Sequence, residues 1–221
     1  GVWLAARLGT AVVCKEATYP ALGPLGFDTP FRGTWTRLRL RAPYLALTEE
    51  AGKGLVAGGV PETAIHLLPN GVELPPAPAI LDGRTVLYVG NFSQGVEWKA
   101  FDVLLQAWAE VHRARPDLLL FMVGGGNILV WQRLAESLGC AASVTFTGPV
   151  ASPDAYYQSA TLFLLPSRVE GMSNALLEAQ SWGLACVVSD IPGNLAVVED
   201  GVNGLVVRTG DVRALADGIL R

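Results

Sequence analysis

From residue 85 onward, short apolar runs alternate with segments whose apolar positions recur at helical spacing. The runs at 86–89, 118–123, 144–147, 161–165, 185–189 and 205–207 predict strands. Several are apolar throughout rather than alternating, as strands covered on both faces are. The segments between them, at about 101–114, 128–138, 153–159, 174–182, 194–198 and 211–220, predict helices. Asp211 can cap the last, where Val212, Leu215, Ala216 and Ile219 fall on one face. Gly139 ends the helix over 128–138, Pro116 follows the one over 101–114, and Ser152-Pro153 reads as a cap followed by a first-turn proline. Strand and helix in alternation give an α/β class, a doubly wound, Rossmann-like parallel sheet of about six strands.

The first part of the chain carries a weaker pattern. Strands are expected at 10–14, 44–48 and 65–68, with an arginine-rich piece at 32–41 between the first two. Pro75-Pro76-Ala77-Pro78 is stiff and extended and fits a linker. The reading divides the chain into 1–76, the closing part of a first Rossmann-like domain, and 77–221, a nucleotide-binding domain. Helical patterns meet both Gly1 (2–8) and Arg221, so a piece of a longer protein is expected.

Composition narrows the function. Apolar residues are 51% and charged residues 16% of 221, enough for a sizeable core. The net charge of −4 argues against a nucleic-acid partner. No apolar run approaches the roughly 18 residues that span a bilayer. Three cysteines without motif spacing (Cys14, Cys140 and Cys186) read as buried small hydrophobes in a reducing compartment, which points to a cytoplasmic location. Apolar and basic residues over 25–41 suit contact with the inner membrane face or a lipid-linked acceptor, with a solvated helix or loop as the alternative.

The most informative stretch is 164–178, L-L-P-S-R-V-E-G-M-S-N-A-L-L-E. A strand ends at Pro166, a polar loop follows, and a helix begins near Asn174. Glu170 is delivered to the carboxyl edge of the sheet, where ligands of open α/β sheets bind. Glu178 lies in the helix among apolar neighbours rather than on a polar face. Between them the backbone amides of Gly171, Met172, Ser173 and Asn174 are candidates to cradle a diphosphate. Gly90 and Asn91 follow the strand at 86–89, and Lys99 stands just before the next helix, where it can neutralise a phosphate. Gly124 opens a triple glycine that allows close backbone approach to a nucleotide; a dinucleotide fingerprint fails there, because Leu129 stands at the third glycine position. A hydrolase elbow at Ser173 fails too, since Pro166 ends the strand early and both histidines precede the serine.

These motifs resemble the family 4 glycosyltransferases, retaining enzymes built from two facing Rossmann-like domains (the GT-B fold). The resemblance rests on Glu170, seven residues, then Glu178; on A-Q-S-W-G-L-A-C-V-V-S-D and V-V-E-D-G-V-N-G-L-V-V after them; on Y-V-G-N-F with W-K-A-F-D-V-L-L; and on L-P-N-G-V-E at 68–73. It implies a hexosyltransferase that moves a sugar from a nucleoside diphosphate to a glycan or lipid-linked acceptor, with retention, in cell-surface polysaccharide or lipid-glycan assembly. Glu178 would hold the ribose, Glu170 would face the donor sugar as the catalytic residue, and Lys99 would contact the diphosphate. Gly90, Asn91, Gly124 and the amides of 171–174 would complete the donor site. No cofactor and no metal is expected, since cationic side chains and helix ends stabilise the leaving diphosphate.

The chain departs from the family pattern at four places. Asn91 stands where an arginine is common, the interval from Gly90 to Lys99 is longer than in many members, Ala100 replaces a glycine, and Lys15, Glu16 and Ala17 stand where a first-domain histidine is common. These departures support an alternative, a nucleotide-sugar-binding homologue without transfer activity or an inactive truncated fragment. In the main reading the parent protein is expected to be the enzyme and this piece alone to be inactive, at best its donor-binding half. A sugar-nucleotide epimerase shares the fold and is the third reading.

Overall fold

A computed structural model describes residues 14–16, 43–93, 95 and 97–221 of the chain. The helix expected at 2–8 and the basic, apolar piece at 25–41 lie outside the described residues, as do residues 10–13 of the first expected strand. The contacts within the chain separate two units. The first is Gly1–Asn70 with Val169–Met172, and the second is Gly71–Arg168 with Ser173–Arg221.

In the first unit, β1 (Cys14–Glu16), β2 (Tyr44–Ala46) and β3 (Ile65–Leu67) form a parallel sheet in that order. The chain between β2 and β3 contains α1 (Glu49–Ala57), which the sequence pattern did not announce. The strand expected to run to Thr48 stops at Ala46, because the Thr48 hydroxyl accepts the Ala51 N–H at 3.1 Å and caps the helix. Glu49 and Glu50 in its first turn complement the helix dipole. Tyr44, Ala46, Ala51, Leu55 and Val60 form this unit's small core.

The second unit holds β4 (Thr85–Val89), α2 (Phe101–Ala114), β5 (Leu119–Val123), α3 (Ile128–Ser137), β6 (Val144–Gly148), α4 (Asp154–Ser159), β7 (Leu162–Leu165), α5 (Asn174–Ser181), β8 (Ala185–Ser189), α6 (Pro192–Leu195), β9 (Leu205–Val207) and α7 (Val212–Leu220). All six strands are parallel, in the order β6-β5-β4-β7-β8-β9. This is the doubly wound Rossmann order, which winds one way from β4 to β6 and the other way from β7 to β9. The expected strands and helices are all present, with small end shifts. The largest is α6, Pro192–Leu195 rather than 194–198, which starts earlier because proline favours a first helical turn and ends three residues sooner.

Helix α2 forms the centre of the core. Leu104, Leu105, Ala107, Trp108 and Val111 are fully buried, and the helix packs against both α3 and α7. The Trp108 indole N–H donates to Ser143 at 3.0 Å, so the largest core side chain leaves no polar atom unmet. Helix α4 lies against β4, and α5 against β7 and β8. Cys140 and Cys186 are buried thiols, as expected; burial pushes Cys186 up to about 12 and raises Cys140 in the same direction.

Asp82 fixes the start of β4. Its carboxylate accepts from the Arg84 and Thr85 N–H groups at 2.8 Å each, the Thr85 hydroxyl at 2.6 Å and the Thr161 hydroxyl at 3.1 Å. Thr161 leads into β7, so one side chain ties together the entries of the two central strands. Burial raises this carboxyl, but the hydrogen bonds from Thr85, Arg84 and Thr161 outweigh it and hold it at about 2 against an ordinary 3.8. A depressed folded value means stability that is present above the unfolded pKa and lost as pH falls through the folded one. Acid titration of the folded protein should therefore show a loss of stability between pH 3.8 and about 2 that is absent from Asp82→Asn. Identical acid midpoints in the two proteins would remove Asp82 from this role.

Candidate functional site

A cleft of about 390 Å³ opens beyond the carboxyl ends of β4, β5 and β6. It is lined by Val89, Gly90, Asn91 and Ser93 from the β4 exit, 123–126 from the β5 exit, and Pro149, Val150 and Pro153 from the β6–α4 connection. The volume falls within the ordinary range of small-molecule sites.

Main-chain contacts build the floor of the cleft. The Gly90 N–H donates to Val123 O at 2.9 Å, Phe92 N–H to Gly125 O at 2.8 Å, and Asn127 N–H to Phe92 O at 2.9 Å. Two loops are thereby laced together past the end of the sheet, and glycine is required for it. Gly124 has φ +144° and a Cβ there would lie 1.8 Å from Gly90 O; Gly126 has φ +125° and a Cβ would lie 2.4 Å from the Phe92 carbonyl carbon. Behind the loop, Phe92 packs on Phe101 at a centroid distance of 4.7 Å, and Phe101 packs on Tyr88 at 5.1 Å and Trp131 at 5.0 Å. Asn91 is exposed on the cleft wall, and its side-chain oxygen accepts from Ser93 N–H at 2.8 Å and Ser93 Oγ at 2.6 Å. The position where the family often carries a cation holds a neutral side chain engaged in its own turn.

Lys99 ends a short 3-10 turn, Glu97–Lys99, and is half-buried. Arg168 holds this turn in place. Its guanidinium donates to Glu97 O at 2.7 Å and grips Asp102 with bonds of 3.0 and 2.7 Å, while its N–H donates to Trp98 O at 2.6 Å. The Arg168 bonds, in opposition to burial, hold the Asp102 carboxyl below its ordinary range. This planar two-point grip suits arginine and would not survive replacement by lysine. Ala100, directly after Lys99, has φ +57° and is the one non-glycine residue in the left-handed region among the described residues. The departure from the family's glycine therefore falls at a position that glycine would occupy without strain.

Glu178 is half-buried in α5, one turn in, rather than solvated. Its Oε2 accepts from the Tyr157 hydroxyl at 2.9 Å. Ser173 caps α5, its hydroxyl accepting from Leu176 N–H at 3.4 Å and its carbonyl from Leu177 N–H at 3.2 Å. Asn174 begins the helix and is exposed. Glu170 is half-buried, Gly171 is buried, and by their contacts both belong with the first unit. There Met172 is held by Asn70, whose side chain donates to Met172 O at 3.1 Å and whose N–H points to the Met172 sulfur at 3.3 Å.

Of the expected residues, Gly90, Asn91 and Gly124 line the cleft together, whereas Lys99, Glu170, Glu178 and 171–174 are not part of its wall. Pro149, Val150, Pro153, Tyr157 and Arg168 were not singled out from the sequence. Only Pro153 carried a signal, as a helix start. No group of three histidine, cysteine, aspartate or glutamate side chains able to hold a metal occurs among the described residues.

Residues 83–221, more than half of the chain, match the family described as "Glycosyl transferases group 1". A GDP-mannose-dependent alpha-(1-6)-phosphatidylinositol monomannoside mannosyltransferase of Mycolicibacterium smegmatis is 34% identical over 179 residues, covering 72% of this chain and 47% of the relative. A D-inositol 3-phosphate glycosyltransferase of Frankia alni is 34% identical over 152 residues, covering 63% of this chain and 37% of the relative. The chain thus spans less than half the length of these curated relatives. Among solved structures, S. aureus TarM matches 96% of this chain with a TM-score of 0.81 at 19% identity, covering 43% of that chain. Anabaena HepE in complex with UDP-glucose matches 98% with a TM-score of 0.80 at 18% identity, covering 64% of that chain. The fold is that of GT-B glycosyltransferases.

Two outcomes follow for the loops of the cleft. Gly124→Ala and Gly126→Ala should each destabilise by about 1–3 kcal/mol or more, read as a lowered denaturant midpoint. Gly125→Ala, whose Cβ would only touch Pro149 at 3.3 Å, should cost less. At Ala100, relief of left-handed strain (about 1–2 kcal/mol) is offset by a lost buried methyl (about 0.8) and added chain entropy (about 0.5–1). Ala100→Gly should therefore leave the midpoint nearly unchanged, and a large shift of either sign would contradict this balance.

Proposed function

We propose that this chain, which belongs to the group 1 glycosyl transferases, is the donor-binding part of a retaining hexosyltransferase. The reaction moves a sugar from a nucleoside diphosphate to a glycan or lipid-linked acceptor. The observation that carries the reading is the glycine-floored cleft at the carboxyl end of β4. It lies at the carboxyl edge of a doubly wound sheet, beside the strand from which the winding reverses, and such sheets take nucleotides along that edge. Helix α4 supports the placement, since Pro153 at its start lines the cleft and Tyr157, one turn on, bonds Glu178. In this reading the base lies against the cleft floor and the ribose meets Glu178.

In this reading Gly90, Asn91 and Gly124 border the nucleoside, and Glu178 accepts from the ribose hydroxyls. Lys99 and the amides over 171–174 carry the diphosphate, and Glu170 faces the donor sugar. The positive charge that the leaving diphosphate needs then comes from lysine and the first turn of α5, without a metal. Residues 1–76 would be the acceptor-side domain and 77–221 the donor domain. One named relative is GDP-mannose-dependent and one structural neighbour holds UDP-glucose, so both nucleotide classes are candidates for this chain. No described helix is long and apolar enough to cross a membrane. A cytoplasmic enzyme meeting its acceptor at the membrane face is the arrangement we favour, with polysaccharide or lipid-glycan assembly as its role.

One observation favours a second reading, a nucleotide-sugar-binding homologue without transfer. Asn91 supplies no charge where a cation is common, and its side-chain oxygen is taken by Ser93.

The test uses the full-length parent protein with UDP- and GDP-linked hexoses, following donor hydrolysis, transfer and binding. Glu178→Ala should weaken donor affinity by roughly 10- to 150-fold, the loss of a hydrogen bond to a charged group. Glu170→Ala should abolish turnover with smaller loss of binding. Unchanged affinity in Glu178→Ala would remove the ribose assignment, and tight binding without turnover in the unmodified protein would favour the second reading.

A further inference from the structure

We infer that Tyr157 is a positioning residue that fixes the Glu178 carboxylate in the orientation that reads a ribose. The inference rests on the ribose reading of Glu178 above and adds to it a residue on a different helix.

Tyr157 is fully buried, with its ring against Phe163 at a centroid distance of 6.1 Å. The hydroxyl of a buried tyrosine must find a partner. The Ala175 carbonyl at 3.2 Å would have sufficed, yet the hydroxyl lies closer to Glu178 Oε2, at 2.9 Å. Burial first, and the neighbouring Glu178 charge second, push the phenol well above its ordinary value, so it keeps its proton and acts as a donor. Among the described residues Tyr157 is the hydrogen-bond partner of this carboxylate, and the bond engages one of its two oxygens. The second oxygen is then presented in a set direction. A glutamate side chain has several rotatable bonds, and a ligand that had to order them would bind more weakly. A phenol locked in the core performs that ordering beforehand.

The same helix connects this pair to the cleft. Pro153 lines the cleft, the Tyr157 N–H donates to Pro153 O at 3.1 Å, and α4 is only six residues long. A short helix seated on β4 thus sets both the cleft wall and the direction of the carboxylate.

A purely structural tyrosine would make no distinction between ligands, so the experiment reads a distinction. In the full chain, binding of UDP and GDP is measured beside their 2′-deoxy and 3′-deoxy counterparts, in the unmodified protein, Tyr157→Phe, Glu178→Gln and the double variant. Tyr157→Phe should lose roughly 2- to 13-fold in affinity for the ribonucleotide that binds. It should lose little for the deoxynucleotide, and the double variant should match Glu178→Gln. Equal losses for ribo- and deoxynucleotide, or an undiminished ribose preference in Tyr157→Phe while Glu178→Gln abolishes it, overturns the inference alone. An undiminished preference in Glu178→Gln overturns the ribose reading and the inference with it. Should Tyr157→Phe not fold, 3-fluorotyrosine at 157 supplies the second measurement. Its fluorine resonance should move with the ribonucleotide and stay in place with the deoxynucleotide, and equal movement with both overturns the inference.

Discussion

The constraint behind the rest is the reversal of winding between β4 and β7. Parallel strands can be joined only by crossovers, and those crossovers keep one hand. A sheet that grows outward in both directions from its centre must leave the carboxyl ends of the two central strands without a connection lying across them. Here those ends are Val89 and Leu165. The chain then uses the opening in two ways: the β4 exit is laced to the β5 exit by main-chain hydrogen bonds, and the β7 exit sends Arg168 across to hold the turn that carries Lys99. Asp82 sets the opposite edge, joining the entries of the same two strands.

Most of the second unit was legible because several strands are apolar along their length and the longer helices show an apolar face and a recognisable end. The all-apolar run at 162–165 and the capping Asp211 each state a local rule that the packed structure keeps. Helix α1 was not legible for the opposite reason. Gly52 and Gly54 lower its helix propensity, and its stability comes from burial of Ala51 and Leu55 against a sheet whose strands are too short to show a period. Thr48 contains the one local signal, a cap followed by two acids, and a strand reading absorbed it.

The candidate site divides along the same line. Glycines and glutamates at fixed spacing could be found along the chain, since a tight turn or a carboxylate at a helix start is a local requirement. Tyr157 and Arg168 could not. The value of Tyr157 lies in reaching Glu178 in another helix, and that of Arg168 in reaching Asp102 and the Glu97 carbonyl far back in the chain. Both are side chains that organise others, and one-dimensional spacing does not reveal such partnerships. The triple glycine was visible, but its purpose, contact between two backbones, depended on strands β4 and β5 lying side by side.

A pocket floor made of peptide groups has a consequence for how such a protein diversifies. Substitution alters side chains, and at Gly124 and Gly126 there is no room for one. Variation in the lining is then left to the side chains of the rim, such as Pro149 and Val150. A floor of this kind resists substitution by sterics alone, while the rim could be recut to suit a different ligand.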